Sequence, residues 1–72
     1  MEGIIHKTSL CWHIITDDFY DERFINNGVP IVKYQWNHLN ESMIGEKINF
    51  KIENIEFNVE HENIKSYVAI II

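Results

Sequence analysis

The chain is poor in cysteine, proline and glycine, with one, one and three of these residues among 72. A single thiol cannot form a disulfide within the chain, which excludes a disulfide-stapled scaffold. Few prolines and glycines beside 46% hydrophobic residues are typical of a folded domain rather than of a disordered segment. We expect one small domain over residues 1–72, which excludes a two-domain enzyme.

Basic residues and long apolar runs are also scarce. Six lysines and arginines stand against eleven aspartates and glutamates, so the formal net charge is −5. This charge opposes strong nonspecific attraction to duplex nucleic acid or to anionic lipid. No run approaches the roughly 20 apolar residues of a membrane-spanning helix, and the first residues lack a secretory pattern. We therefore expect a cytoplasmic protein without a membrane partner.

The sequence has no motif for catalysis or for metal binding. Its histidines, His6, His13, His38 and His61, are scattered singly, and Cys11 has no activating neighbour. The paired acids at residues 17–18 and 21–22 belong to an acidic loop in a chain too short to enclose much of a pocket. We expect neither an enzyme, nor a metal site, nor a cofactor.

Isoleucine is abundant and Ala69 is the only alanine, a composition that favours strands. The clearest alternation of apolar and polar residues lies at residues 46–60, where its apolar members are Ile48, Phe50, Ile52, Ile55, Phe57 and Val59. The alternation slips by one residue at Glu53-Asn54. A two-residue hairpin loop there explains the slip, and a bulge within one longer strand is the alternative.

Other strands are expected at about residues 3–8, 10–16, 29–36 and 66–72, with a loop at residues 61–65. Residues 7–9 are expected to form a turn or a bend in one long strand. Pro30 places the third strand at an edge or a bulge, because proline cannot donate to a ladder. Asp17 or Asp18 is expected to cap a single helical turn. Five or six short strands predict an all-β fold, a small antiparallel barrel with at most one short helical turn. The apolar end, Val68 to Ile72, closes the barrel or forms a homodimer contact.

The layout resembles the cold-shock domain, an OB-type barrel, in four segments: residues 1–5, 30–34, 45–50 and 69–71. The resemblance implies a five-stranded barrel that binds single-stranded nucleic acid through its second and third strands. The glycine- and phenylalanine-rich second strand of that family is replaced here by residues 10–15, Leu-Cys-Trp-His-Ile-Ile. Ile31 and Lys33 stand where the family presents phenylalanine and histidine, so the architecture transfers better than the binding residues do.

The first functional hypothesis is a non-catalytic protein that binds single-stranded RNA or DNA as a chaperone or regulator. A solvent-facing ring on the second strand would stack on a base, and lysines would follow the backbone. The candidate residues are Lys7, Trp12, His13, Ile31, Lys33, Lys47 and Lys51. The alternatives are that Trp12, Tyr34 and Trp36 belong to the core and that the lysines form a solvated face.

The second hypothesis is an acidic interaction module or inhibitor that binds a basic or nucleic-acid-binding protein. Its site is an acidic segment interleaved with aromatic residues: Asp17, Asp18, Phe19, Tyr20, Asp21, Glu22 and Phe24. Aromatic anchors within a negative field suit a basic protein surface.

Overall fold

The computed structural model describes residues 1–21 and 28–72, and the strands in this part of the chain define an all-β fold. The strands are β1 (Glu2–Lys7), β2 (Trp12–Ile15), β3 (Gly28–Pro30), β4 (Lys47–Val59) and β5 (Glu62–Ile71). Two short 3₁₀ helices, Lys33–His38 and Glu41–Met43, connect β3 to β4. The predicted fold class is confirmed. Residues 17–21 are not helical, and the rest of the predicted helical turn lies outside the described residues.

The sheet has the order β3-β2-β1-β4-β5, with antiparallel neighbours throughout. It curls until its two ends meet at Ile31, just after β3. The N–H of Ile31 donates to the carbonyl oxygen of Trp12 on β2 at 3.0 Å, and Ile31 forms a parallel bridge to Ala69 of β5. The N–H of Val32 then donates to the carbonyl oxygen of Ala69 at 2.9 Å. The apolar end of β5 thus helps to close a small barrel within one chain.

Alternate residues of the strands fill the interior of this barrel. The core consists of Ile5, Trp12, Ile14, Val29, Ile31, Phe50 and Ala69. Each large apolar side chain buried there contributes about 1.5–3 kcal/mol. Gly3 faces the same interior, where a Cβ atom would collide with the Ile14 side chain and lie 2.9 Å from the Ile15 carbonyl oxygen. Only glycine therefore lets β1 approach β2 this closely.

The structure corrects the prediction of a hairpin loop or a bulge at Glu53-Asn54. β4 continues through this point and pairs with β5 in unbroken register from Phe50 opposite Ile71 to Val59 opposite Glu62. The chain turns instead at Glu60 and His61, whose φ angles are +49° and +69°, and the predicted loop at residues 61–65 is largely part of β5. The expectation failed because it assumed that the apolar residues stay on one face of the strand.

The predicted third strand is also shorter than expected. β3 ends at Pro30, which lies in an edge strand as predicted, and a 3₁₀ helix begins at Lys33. In this helix the Trp36 indole Nε1 donates to the carbonyl oxygen of Ile31 at 2.8 Å. The Gln35 side-chain amide bonds both the N–H and the carbonyl of Ile71, at 2.9 and 3.0 Å. Since alternation does not apply to a 3₁₀ helix, Tyr34 is exposed rather than in the core.

Candidate functional site

The outer face of β1, β2 and β3 brings His6, His13 and Pro30 into one row. His13 lies directly opposite His6 on one side and opposite Pro30 on the other. The two imidazole ring centroids are 4.9 Å apart, and the ring planes are inclined by 54°. These side chains point outward because their neighbours in sequence, including Ile5 and Ile14, fill the core. Three neighbouring strands thus present three rings to the solvent side of the sheet.

A second row of outward-facing residues lies beside these rings. Ile4 of β1 pairs with Ile15 of β2 and, on its other side, with Lys47 of β4. Ile4 is exposed and Ile15 is half-buried. We use the name ring platform for the five residues His6, His13, Pro30, Ile4 and Ile15. It is an apolar and aromatic surface with a lysine on its β4 side.

Burial lowers the pKa of His13, and the neighbouring His6 lowers it further, against the opposing effect of the hydrogen bond that the imidazole donates to the backbone of Cys11. The ordinary pKa of histidine is already below neutrality. His13 is therefore an uncharged imidazole at pH 7. A flat neutral ring suits stacking on another ring better than it suits an ion pair.

An open cleft of about 360 Å³ lies beside the ring platform, lined by Glu2, Gly3, Ile4, Ile15, Thr16, Asp17, Asp18 and Lys47. The backbone of Glu2 organises it: its N–H donates to the Asp18 carboxylate at 2.8 Å, and its carbonyl accepts from the Thr16 hydroxyl at 2.7 Å. The Glu2 carboxylate is 2.9 Å from the Lys47 ammonium, and this hydrogen bond raises the pKa of Lys47. Lys47 stays charged, with one carboxylate as its partner.

The structure separates the predicted nucleic-acid-binding residues into several places. Trp12 and Ile31 are 7% and 2% exposed, so their side chains offer no surface to a base and are left out of the candidate site. Lys7 covers Trp12, with its ammonium 5.1 Å from the indole centroid and 3.8 Å from the Glu41 carboxylate. The Thr8 hydroxyl accepts from the N–H groups of Leu10 and Cys11 at 3.2 Å, and this confirms the predicted turn between the strands.

The remaining predicted lysines are exposed but do not form one stripe. Lys33 lies 6.0 Å from the Trp36 ring, on the connection after β3. Lys51 shares the outer face of β4 with Lys47, and it pairs with Ile70 of β5. Only His13 and Lys47 of the predicted set lie at or beside the ring platform, with Lys51 further along the same strand face.

Four residues of the ring platform were missed by reasoning from the sequence. His6 and Ile4 alternate with Ile5, so the period of two along β1 contains the signal that places them outside once Ile5 is assigned to the core. No local signal places Pro30 or Ile15 beside them, because their positions depend on pairing between strands that are distant in sequence.

The acidic segment of the second hypothesis is described only up to Asp21, and Glu22 and Phe24 lie outside the described residues. Phe19 packs edge-on against Tyr67 of β5 with ring centroids 5.3 Å apart, so it anchors the segment to the sheet. Tyr20 is 75% exposed. Asp17 and Asp18 contribute to the wall of the cleft.

Comparison with protein-family models, with curated proteins and with solved structures found no match for this chain. Within residues 1–21 and 28–72, no group of three or more histidine, cysteine, aspartate or glutamate residues is placed to hold a metal ion. The same two segments contain no helix with the length and apolar character to span a membrane.

Proposed function

We propose that this protein binds single-stranded RNA or DNA on its ring platform, without catalysis, as a small cytoplasmic chaperone or regulator. A five-stranded, partly closed antiparallel barrel supports an OB-type architecture of the cold-shock kind. In that architecture the ligand crosses the outer face of neighbouring strands rather than entering a deep pocket. The free thiol of Cys11 fits a reducing compartment.

The row of rings formed by His6, His13 and Pro30 is the observation that carries this proposal. Histidine rings are among the platforms on which unpaired bases stack, and each stacked base contributes about 1–3 kcal/mol. The strand spacing of about 4.8 Å places the rings side by side across the sheet. The neighbouring aliphatic side chains of Ile4 and Ile15 extend the apolar surface over which a nucleotide would lie.

The phosphate contacts assigned to this site are few. Lys47 borders the ring platform and is held by Glu2, while Lys51 lies on the same face of β4. A ligand phosphate would replace the Glu2 carboxylate as the partner of Lys47. Each phosphate contact on a single strand contributes about −0.7 to the slope of the logarithm of the binding constant against the logarithm of the salt concentration. Two lysines therefore give a slope of about −1.4. Binding is thus mainly by stacking, in keeping with the negative net charge.

The test is fluorescence anisotropy of short labelled oligo(dT) and oligo(U) with the wild type and the variants His6→Ala and His13→Ala. We expect each variant to bind about tenfold more weakly, because one stacking ring is lost. His38→Ala, an exposed histidine of the first 3₁₀ helix, is the matched control and should bind as the wild type does. Equal affinity in all four proteins would overturn the proposal.

The exposed ring of Tyr20, two residues after Asp18 in the sequence, favours a second candidate function, the binding of a basic protein by the acidic segment. Aromatic side chains within a negative field anchor such interfaces. Tyr20→Ala should weaken binding of a lysine-rich peptide and leave oligonucleotide binding unchanged. If the two histidine variants bind oligonucleotide normally and Tyr20→Ala loses the peptide, the second candidate replaces the first.

A further inference from the structure

The far part of the β4–β5 hairpin, residues 53–66, is a two-stranded ribbon that extends beyond the barrel. Contacts between β4 and the N-terminal strand end at Phe50, whose N–H donates to the carbonyl oxygen of Met1 at 2.9 Å. Pairing with β5 continues to Val59 opposite Glu62. No third strand of the described residues pairs with the ribbon. A two-stranded hairpin alone is marginally stable in water, so contacts on its faces matter.

The two faces of the ribbon differ in polarity. On one face Asn58 donates a side-chain hydrogen bond to Asn63 at 3.3 Å, and Glu56 lies opposite Lys65. The other face carries aliphatic side chains, and Ile55, Val59 and Ile64 are 38%, 44% and 37% exposed. This second set is the apolar face of the ribbon, and it is turned to the solvent.

The apolar face explains the slip in alternation at Glu53-Asn54. Before the slip, Phe50 and Ile52 point into the barrel, whereas after it Ile55 and Val59 point to the opposite side of the same uninterrupted strand. A one-residue change of phase without a bulge moves every following apolar residue to the outer face. The sequence therefore assigns aliphatic residues to a face that the barrel does not cover.

The charges around this face select the kind of partner. Glu53 at the base and Glu62 at the tip share the apolar face and are exposed, and Lys51 lies on the same face of β4 just outside the ribbon. Lys65 is the only lysine or arginine of the ribbon sequence, and it lies on the opposite face, across from Glu56. In a dimer formed through this face, the carboxylates of one copy would repel those of the other. The phosphates of a nucleic acid would be repelled by the same carboxylates. A basic protein surface meets neither penalty.

We propose that the apolar face of the ribbon docks a protein partner that presents aliphatic side chains flanked by lysine or arginine. The three aliphatic residues are each more than half covered already, so they offer much less than the about 800 Å² per partner of a standard stable interface. The docking is therefore reversible and of the size of a peptide segment. This surface is separate from the ring platform, and it operates whether or not nucleic acid binds there.

The probe is a labelled synthetic peptide of about ten residues in which valine alternates with lysine. The control peptide has the same length and label, with glutamate in place of every lysine. Anisotropy with the full chain should show saturable binding of the lysine peptide alone. Ile64→Ser and the charge reversal Glu53→Lys should each weaken it by about tenfold or more. Asn58→Ser, on the polar face of the same ribbon, is the matched control and should bind as the wild type does.

Three results would overturn the proposal. The first is equal binding of the two peptides, and the second is unchanged binding of the lysine peptide by both Ile64→Ser and Glu53→Lys. The third is a concentration-dependent dimer of the peptide-free protein in sedimentation that Ile64→Ser abolishes, since the occupant would then be a second copy. Near-ultraviolet circular dichroism of the buried Trp12 verifies that each variant keeps its barrel. The His6→Ala variant should bind the peptide normally, which separates this test from that of the proposed function.

Discussion

The barrel and the ribbon share one strand, β4, yet they differ in what covers its apolar residues. In the barrel, Phe50 is fully buried against neighbours that come from distant parts of the sequence. In the ribbon, Ile55 and Val59 continue a period of two shifted by one residue, so they lie on the opposite face of the strand and are exposed. The difference teaches that a period of two identifies a strand, whereas burial depends on which other elements pack on each side of it.

The difference in burial between the barrel and the ribbon is tested most strongly by truncating one apolar residue in each region. Phe50→Ala should lower the free energy of unfolding by about 3–5 kcal/mol, because it leaves a cavity in the core. That is much of the stability of a domain of this size. Ile64→Ala on the ribbon should cost less than about 1 kcal/mol. Urea unfolding followed by tryptophan fluorescence measures both, and equal losses would contradict the distinction between the regions.

The next largest effect is expected at Gly3, where β1 approaches β2. Gly3→Ala should destabilise the protein by about 1–3 kcal/mol, because the added Cβ overlaps the Ile14 side chain and the Ile15 carbonyl. Ile4→Ala, at the adjacent exposed position of β1, should cost less than about 1 kcal/mol. Thermal unfolding of the two variants measures the difference. A Gly3→Ala protein as stable as the wild type would show that the strands have room to separate.

A substitution in the turn of the ribbon should raise the stability of the protein instead of lowering it. His61 has a φ of +69°, a conformation that costs an L-residue about 1–2 kcal/mol and glycine little. His61→Gly should therefore stabilise the hairpin by about 1 kcal/mol. The matched control is Asn63→Gly, within β5, which should destabilise by about 0.5–1 kcal/mol. Hydrogen exchange of the ribbon amides measures both, and slower exchange in the control than in His61→Gly would refute the argument.

The smallest expected effect is a pH dependence of the barrel. The pKa of His13 is lower in the folded protein than the value of about 6.5 in the unfolded chain. The contribution of His13 to the free energy of unfolding is therefore complete at a pH above about 6.5, and it is lost as the pH falls through the lowered folded-state pKa. Unfolding takes up a proton in that range. His13→Gln should therefore show a shallower loss of stability on acidification than the wild type. His6→Gln should lie between them, since it removes only one cause of the lowered pKa.

Urea unfolding at a series of pH values below neutrality measures these slopes. Parallel curves for the wild type and His13→Gln would contradict the assignment. The ribbon gives the internal reference, because its amide exchange should not follow the protonation of His13.

Much of the strand content was predictable because it depends on neighbouring residues. Short apolar runs placed β1 and β2 near their observed positions, and the hydroxyl of Thr8 marked the turn between them. Alternation identified residues 46–60 as extended, although β4 is one strand without the predicted break at Glu53-Asn54. The 3₁₀ helix after β3 was missed, since the side chains of Gln35 and Trp36 stabilise it through bonds to Ile71 and to the backbone of Ile31. One of these partners lies far along the sequence, so a local pattern cannot reveal it.

The candidate site was less predictable than the fold. His13 and Lys47 followed from residue type, but the row that His6, His13 and Pro30 form depends on the register of three strands. Trp12 and Lys7 were also candidates in the sequence. Their phase matches that of Ile5 and Ile14, so Trp12 is buried in the core and the Lys7 ammonium lies over its ring. Residue type thus identified His13 and Lys47 as candidates, and strand register determined which residues lie together on one surface.

The sequence by itself determined an all-β chain, since its β-branched composition and period-two alternation are properties of residues and their immediate neighbours. The tertiary structure decided which side of each strand is covered, where β4 turns back at Glu60 and His61, and how Ile31 joins β3 to β5. The physical reason is that a strand has two equivalent faces and two edges. Only its partners, brought in from elsewhere in the chain, make one face the core and leave the other exposed.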